Sequence, residues 1–414
     1  MDADRLIRLL ESAAQSQSLA TLKPEEESLE IARNQALLRQ HPEVEAMLRS
    51  SPEVLALEAQ RMGVGGHTWR VDLAELAGWL LRETMKGRGS AAVAALLPFA
   101  TSRSTAWNEF VLLSGLTCSE ELEVVPGLEV IPFSHVPTSW SSRQLETALA
   151  DRDPNWHISP NAAVLRRHGS GMVIASLEDP DSKIWIDDQV FVALALTVGL
   201  GHAVMERGIW MRFAETTPLG HHSSWITQVG HEVYVGHRYM AEREVTDASI
   251  RLAATFLASP PDFKRRLVVP LQRYRLALLR RSAVDAAIEL GVAFEASVIE
   301  GRTKKDLTTT GAAGVSLVLG GDRANRETQY SIYEQFYDSL RSPAVHTGLV
   351  DETKTVKVKH RGNVTGAELV QLAKEQCRAV LEVFIKAKAF PDWETTFPTS
   401  KDIAMTAERP HFQR

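Results

Sequence analysis

The residues best suited to catalysis are Arg341 and His346, which are separated by four residues. Metal-independent cleavage of RNA uses the 2′-hydroxyl of the substrate as nucleophile, so the protein must move protons and stabilise charge on the phosphate. A histidine side chain changes charge near neutral pH, and an arginine offers phosphate oxygens a planar, permanently charged fork of donors. The pair therefore has the residue types that phosphodiester cleavage requires.

The spacing alone is weakly informative, because Arg152 and His157 have the same spacing and the segment from Arg61 to His67 is one residue longer. Both of those pairs lie in stretches rich in glycine or proline. Arg341 and His346 instead lie between two strongly helical patterns, which favours this pair.

Geometry restricts how the two side chains could meet. Five steps along an α-helix rotate a side chain by about 500°, so Arg341 and His346 would point about 140° apart on one helix. Pro343 disfavours helix at Ser342. We therefore expect a helix to end at Arg341 and His346 to follow a bend that brings both side chains to one cleft. The alternative is that both residues cap helix ends.

Helical periodicity dominates the chain from about Thr246 onwards. The expected helices, with no strand between them, lie in the ranges 250–257, 271–299, 311–319, 327–340 and 366–389. Such a series predicts an all-α bundle over residues 245–395.

Several ordered blocks in this region resemble the HEPN superfamily (higher eukaryotes and prokaryotes nucleotide-binding), and specifically its Apea-like domains. The blocks are Ala293, Phe294, Glu295 and Ala296; the small, apolar range 311–320; and Tyr337 and Asp338 with Arg341, Ser342, Val345 and His346. Thr347 is inserted before Gly348, Phe294 and Ser297 stand where leucine is more usual, and Pro343 occupies a variable position. None of these departures removes a candidate catalytic residue.

The resemblance implies a helical bundle that forms a homodimer, with the arginine and histidine of two subunits lining one cleft. It implies an endoribonuclease acting in defence against phage or as a toxin, and leaving a 2′,3′-cyclic phosphate. Arg341 and His346 would be catalytic, Ser342 would assist, and Glu295 would orient the pair. Glu295 could equally be a buried carboxylate that pairs with Arg341 without a catalytic role. The alternatives to an RNase are a non-catalytic dimerisation or interaction module and a nucleotide-binding sensor.

A basic segment follows the motif and is the candidate RNA-binding surface, with a solvated face as the alternative. Its residues are Lys354, Lys357, Lys359, His360 and Arg361. A second basic cluster, between Lys264 and Arg281, is more typical of a solvated face. Tyr337 is a candidate for stacking on an RNA base, although core packing is the commoner role of such tyrosines.

Bulk properties limit the partners of the 414-residue chain. Its net charge of −6 means that nucleic acid must bind a local basic face. Two distant cysteines, Cys118 and Cys377, favour a cytoplasmic location. The most apolar run, 190–204, is short for a membrane span and predicts a buried helix, so we expect no membrane partner. His221, His222, His231 and His237 match no metal motif, so we expect no metal and no cofactor.

The region before the bundle predicts an α+β protein overall, with a mixed α/β amino-terminal region. We expect a mainly helical region at 1–118, a mixed regulatory or recognition region at 119–244, the bundle at 245–395 and a tail at 396–414. Strands are expected within 121–132 and 185–187, and a hairpin at 163–176 that turns at Gly169. This upstream region would respond to a phage-derived trigger or bind a neutralising partner.

Overall fold

A computed structural model describes most of the chain. The described residues are 2–15, 42–58, 61–64, 67–102, 104–137, 158–171, 180–213, 223–226, 242–299 and 307–391, with residues 145, 217, 218 and 405. The predicted tail lies almost wholly outside them, as do the Arg152–His157 pair and the four histidines considered for a metal.

The chain is a mixed α/β protein made of two compact units. The first unit contains Met1–Leu112, Ser119–Asp187 and Glu206–Val229, and the second contains Leu113–Cys118, Asp188–Met205 and Gly230–Arg414. The predicted boundaries at 118/119 and 244/245 therefore do not separate the units. One reason is that strands from both sides of residue 118 belong to the same sheet.

The first unit combines helices with most of a large sheet. Its helices are α1 (Ala3–Gln15), α2 (Pro42–Arg49), α3 (Pro52–Glu58), α4 (Leu73–Met85) and α5 (Gly89–Ser102). Its strands are β1 (Arg61–Val64), β2 (His67–Arg70), β3 (Thr105–Thr117), β4 (Leu122–Val125), β5 (Leu128–Pro132), β6 (Ala162–Gly171), β7 (Met205–Phe213) and β8 (Ser223–Ile226). The end of β3 from Leu113 onwards and the first residue of β7 belong to the second unit. β1 and β2 form a hairpin, and the sheet has the order β4-β5-β6-β3-β7-β8.

Successive side chains along a strand point to opposite faces of the sheet, and both faces of this sheet are buried. Trp107 and Met211 pack into a core shared with the helices, whereas Phe110 and Trp210 belong to a core on the other face. The rings of Phe110 and Trp210 stack at 5.4 Å. Because both faces are covered, these strands are apolar on successive residues.

Two predictions for strands in this region were wrong, and one was right. β4 and β5 confirm the strands expected at 121–132. β6 continues through Gly169, whose added Cβ would lie 2.2 Å from Cζ2 of Trp107, so close packing and not a turn accounts for this glycine. Trp185 lies in a helix, α6 (Pro180–Leu200), and not in a strand.

The second unit is mainly helical. Besides the end of α6, its helices are α7 (Asp247–Leu257), α8 (Pro261–Leu279), α9 (Ala283–Phe294), α10 (Leu307–Leu319), α11 (Arg323–Phe336), α12 (Ser342–Thr347) and α13 (Gly366–Ala387). A π-helical turn, Glu295–Ile299, follows α9, and a second one, Tyr337–Arg341, joins α11 to α12. Its short strands are β9 (Arg243–Glu244), β10 (Thr355–Val358) and β11 (Gly362–Thr365), and β9 pairs with the end of β3.

Polar side chains define where these helices begin. Thr246 and Thr365 cap α7 and α13 in capping boxes with Ser249 and Glu368. The helix expected at 271–299 is two helices, because Ser282 accepts a hydrogen bond from the Asp285 N–H and starts α9 there.

The apolar run 190–204 is helical as far as Leu200, with fully buried side chains such as Val192 and Leu196. Arg378 of α13 donates from Nε to the Val198 carbonyl and from Nη2 to that of Gly199, at 2.7 Å each. The end of α6 therefore belongs with the second unit. Within the described residues, none of the helices has both the length and the apolar character that crossing a membrane requires.

The prediction that residues 245–395 form an all-α bundle was wrong, because β10 and β11 form an antiparallel hairpin between α12 and α13. Val356 and Val358 are buried while Lys357 and Lys359 are exposed. This alternation has the two-residue period of a half-buried strand and is visible in the sequence.

Glu327 of α11 holds the hairpin in place. Its carboxylate oxygen Oε2 lies 2.7 Å from Lys359 Nζ and 2.8 Å from His360 Nε2, and Arg323 lies 3.2 Å from Oε1. His360 adopts a left-handed backbone, with φ of 62°, at the tip of the hairpin. The hydrogen bonds from Lys359 and His360 lower the pKa of Glu327 to about 2.

This depressed pKa predicts a pH dependence of stability. Because the folded protein lowers the pKa from 4.5 to about 2, the contribution of Glu327 is complete above pH 4.5 and is lost as pH falls towards 2. We expect Glu327→Gln to lower the Tm at pH 6 and to cause a progressively smaller loss below pH 4.5. Thermal unfolding as a function of pH measures this difference.

Glu334→Gln on the same helix is the control, because Glu334 makes no ion pair within the described residues. An equal loss of Tm for Glu327→Gln at pH 6 and pH 2.5 would contradict the assignment.

Candidate functional site

The backbone around Arg341 differs from the expected bend. α11 passes into the second π-turn, and Ser342 is helical with φ of −64° and ψ of −49°. Pro343 stands in the first turn of α12, directly after the π-turn, and lacks the N–H that a continuing helix would use. The prediction that Pro343 ends the helix was therefore wrong, because the chain stays helical through this proline.

The continuous helix sends the two candidate catalytic side chains in different directions. The Arg341 side chain is 18% exposed and faces α9, whereas His346 is exposed. No hydrogen bond or ion pair joins them within the described residues. The two side chains therefore have different surroundings within one chain.

Ser342 lies with His346 and not with Arg341. The two residues are four positions apart in α12, so they share one face of this helix. Ser342 is half-buried, and the neighbouring Val345 and Leu349 are 46% and 71% exposed. The side chains around His346 therefore form a surface that includes apolar groups.

Arg341 is held by Glu295. Its Nη2 lies 2.7 Å from Glu295 Oε1 in an ion pair whose side chains are 18% and 28% exposed. Its Nε is buried without a hydrogen-bond partner among the described residues. Most of the Arg341 side chain is therefore buried, and its guanidinium is anchored by Glu295.

Tyr337 completes this cluster. Its hydroxyl donates to the same Glu295 Oε1 at 3.1 Å, and its ring lies 5.1 Å from Cζ of Arg341. The carboxylate thus accepts from both neighbours. Burial, followed by the charge of Glu295, raises the pKa of Tyr337 to about 12, so the hydroxyl remains a donor at neutral pH.

The position of Tyr337 argues against its predicted role in stacking on RNA bases. The residue is 8% exposed, and its ring stacks on that of Tyr333 at 5.8 Å. Phe294 packs edge-on against Tyr333 at 5.1 Å. Tyr337 therefore supports Glu295 and Arg341 from within the core.

The three residues of the cluster occupy the ends of the two π-turns. Glu295 begins the first turn, and Tyr337 and Arg341 begin and end the second. Such turns are rare in proteins and are frequent at functional sites, because a widened turn redirects side chains. Two of them meeting at one ion pair mark this place as the candidate site.

The basic hairpin contributes fewer free cations than its sequence suggests. Lys359 pairs with Glu327, whereas Lys354, Lys357 and Arg361 are exposed and make no ion pair within the described residues. In the other basic cluster, Arg273 and Arg280 both pair with the buried Glu289.

The sequence analysis missed Gly291, which lies against Arg341. A Cβ added there would be 2.5 Å from Arg341 Cγ and 3.0 Å from Nε. A glycine inside a helix, four residues before Glu295, was the available signal. Among the described residues, no group of three or more histidine, cysteine, aspartate or glutamate side chains could hold a metal ion.

Comparisons of the chain with protein-family models, with curated proteins and with solved structures found no match. The geometry of the site therefore carries the functional argument together with the motif resemblance.

The two stacked tyrosines give a matched test of the cluster. We expect Tyr337→Phe to lower the free energy of unfolding by about 1 kcal/mol, because it removes a hydroxyl that donates to a partly exposed carboxylate. Tyr333→Phe should leave it unchanged or raise it, because the buried Tyr333 hydroxyl has no partner among the described residues. Urea unfolding of the full-length variants measures both. Equal effects of the two substitutions would refute the bond between Tyr337 and Glu295.

Proposed function

We propose that the second unit is a HEPN-type endoribonuclease that acts without a metal ion, with Arg341 and His346 as its catalytic residues. The observation that carries this proposal is the Arg341 side chain, which is 18% exposed and whose guanidinium is paired with Glu295 where two π-turns meet. An exposed histidine follows it in the next short helix.

The reaction would proceed by attack of the RNA 2′-hydroxyl on the adjacent phosphorus. The 2′-oxygen–phosphorus bond forms and the bond from phosphorus to the 5′-oxygen breaks, giving a 2′,3′-cyclic phosphate and a 5′-hydroxyl end. Arg341 would stabilise the negative charge that grows on the phosphate oxygens. His346 would move the proton that leaves the 2′-hydroxyl or the proton that the 5′-oxygen gains.

A homodimer would supply the geometry that one chain lacks. Arg341 and His346 point to different sides of their helix, so a cleft between two copies would combine groups from both. Val345 and Leu349 are exposed apolar residues beside His346, which favours contact with a second protein surface. Two copies would also supply two imidazoles, one to accept a proton and one to donate a proton.

RNA would bind along the hairpin through its free cations. Lys354, Lys357 and Arg361 are the exposed residues that could meet phosphates, and Lys359 would contribute less because Glu327 neutralises it. The net charge of −6 makes such a local surface necessary for binding a polyanion.

The first unit would be a regulatory or recognition module. A phage-derived trigger or a neutralising partner would act on it, and the protein would work in the cytoplasm in antiviral defence or as a toxin. Support for this part comes from the motif resemblance. In addition, the two cysteines, Cys118 and Cys377, are buried and form no disulfide bond.

A second candidate function is a nucleotide-binding or assembly module without turnover. The ion pair with Glu295 favours it, because a half-buried pair of this kind also occurs as a purely structural contact. Tight binding of RNA or nucleotide without any cleavage would support this alternative.

The test is incubation of the full-length protein with tRNA and with a long single-stranded RNA in EDTA. We expect wild type to cleave, and His346→Ala to slow cleavage by at least ~100-fold, which is the usual contribution of general acid–base catalysis. Arg341→Ala should cause a similar loss. His135→Ala is the control, because His135 is a similarly exposed histidine, 47% exposed, in the first unit. Wild-type activity in His346→Ala would disprove the proposed mechanism.

A further inference from the structure

The position of Gly291 is unusual on helical grounds alone. It lies inside α9, and a glycine there destabilises a helix relative to alanine because its unfolded backbone has more freedom. Gly291 is also buried, so exposure to solvent does not explain why a glycine stands at this position. The close approach of another group explains it.

The group that approaches is the stem of Arg341. A Cβ on residue 291 would lie 2.5 Å from Cγ, 3.3 Å from Cδ and 3.0 Å from Nε of that arginine. Cγ is near the backbone end of the side chain and cannot swing aside without moving the whole guanidinium. Any side chain at 291 would therefore displace Arg341 from its present path.

Gly291 lies in α9, about one turn before Glu295, which begins the π-turn that follows this helix. The arginine stem crosses the helix at the glycine, and Nη2 meets Glu295 at 2.7 Å. The ring of Tyr337 lies 5.1 Å from Cζ. The Arg341 side chain is thus fixed along its length, because its stem packs on Gly291 and its guanidinium pairs with the Glu295 carboxylate.

We infer that Gly291 is a positioning residue for Arg341, whose side chain lies in a channel across α9 that only glycine leaves open. This inference rests on the proposed function where it concerns activity. Its geometric part, the packing of Arg341 on Gly291, is independent of any reaction.

A consequence for catalysis follows from the fixed stem. A displacement of about 1 Å at a group that contacts the reacting phosphate can cost as much as 100-fold in rate. Binding of RNA depends mainly on the hairpin cations, which lie outside the channel. Filling the channel should therefore reduce kcat and leave RNA affinity nearly unchanged.

The experiment is a double-mutant cycle on the full-length protein with Gly291→Ala, Arg341→Ala and both together. In the wild-type background we expect Gly291→Ala to lower the Tm, because the new methyl group collides with the arginine. In the Arg341→Ala background we expect the same substitution to raise the Tm by about 1–4 °C, because alanine is the better helix former and the channel is empty.

Arg341→Ala leaves Glu295 without its cation, and this variant could unfold for that reason. A second cycle with the same substitutions is therefore made in a Glu295→Ala background. There too, we expect Gly291→Ala to lower the Tm when Arg341 is present and to raise it when Arg341 is replaced by alanine. If Gly291→Ala shifts the Tm equally with Arg341 present and with Arg341→Ala, the inference is overturned, whether or not the protein cleaves RNA.

The activity measurement separates positioning from general loss of structure. Gly291→Ala should lower kcat on the single-stranded RNA by about 10- to 100-fold. The Kd for the same RNA, measured by fluorescence anisotropy, should stay within about 2-fold of wild type. Unchanged kcat would refute the positioning role even if the Tm values show coupling. If the wild-type protein leaves the RNA uncut, that result counts against the proposed RNase activity. The double-mutant cycle on Tm would still decide whether Arg341 packs on Gly291.

Discussion

The ion pair between Arg341 and Glu295 is the contact on which the candidate site depends. It joins two helices that are distant in sequence, at 2.7 Å, in surroundings that leave 18% and 28% of the side chains exposed. A charge in such a setting is costly unless it is paired and hydrogen-bonded, so each partner requires the other. The residues around the pair meet this requirement for the carboxylate and for Nη2, whereas the buried Nε of Arg341 has no hydrogen-bond partner among the described residues. Tyr337 donates to the shared carboxylate oxygen, and Gly291 leaves room for the arginine stem.

The two π-turns show how the backbone adapts to this pair. Each turn begins or ends at a residue of the cluster, and the second allows the helix to continue through Pro343. The same continuity sends His346 away from Arg341 and places it with Ser342 on the exposed face of α12. In the proposed enzyme Arg341 would bind phosphate and His346 would move protons, so a second copy of the chain would be needed to bring both kinds of group to one cleft.

Sequence patterns predicted the elements that have a long, clear period. The helices α10 and α13 and the strands β4 and β5 follow from periodicity rules. The hairpin β10–β11 had a visible two-residue period but was overlooked in favour of its charges. The path of α12 through Pro343 and the role of Gly169 were not predictable, because they depend on contacts with residues distant in sequence. The same holds for Gly291, whose partner is fifty residues away.

We propose that this site cleaves RNA through the substrate's own 2′-hydroxyl. The test uses one oligoribonucleotide that wild type cleaves in EDTA and the same oligonucleotide with a single 2′-deoxy substitution at the mapped cleavage position. We expect a 2′,3′-cyclic phosphate end from the first and no cleavage at that position in the second, with equal binding of both. Cleavage of the 2′-deoxy position, or a product with a 3′-hydroxyl end, would contradict it.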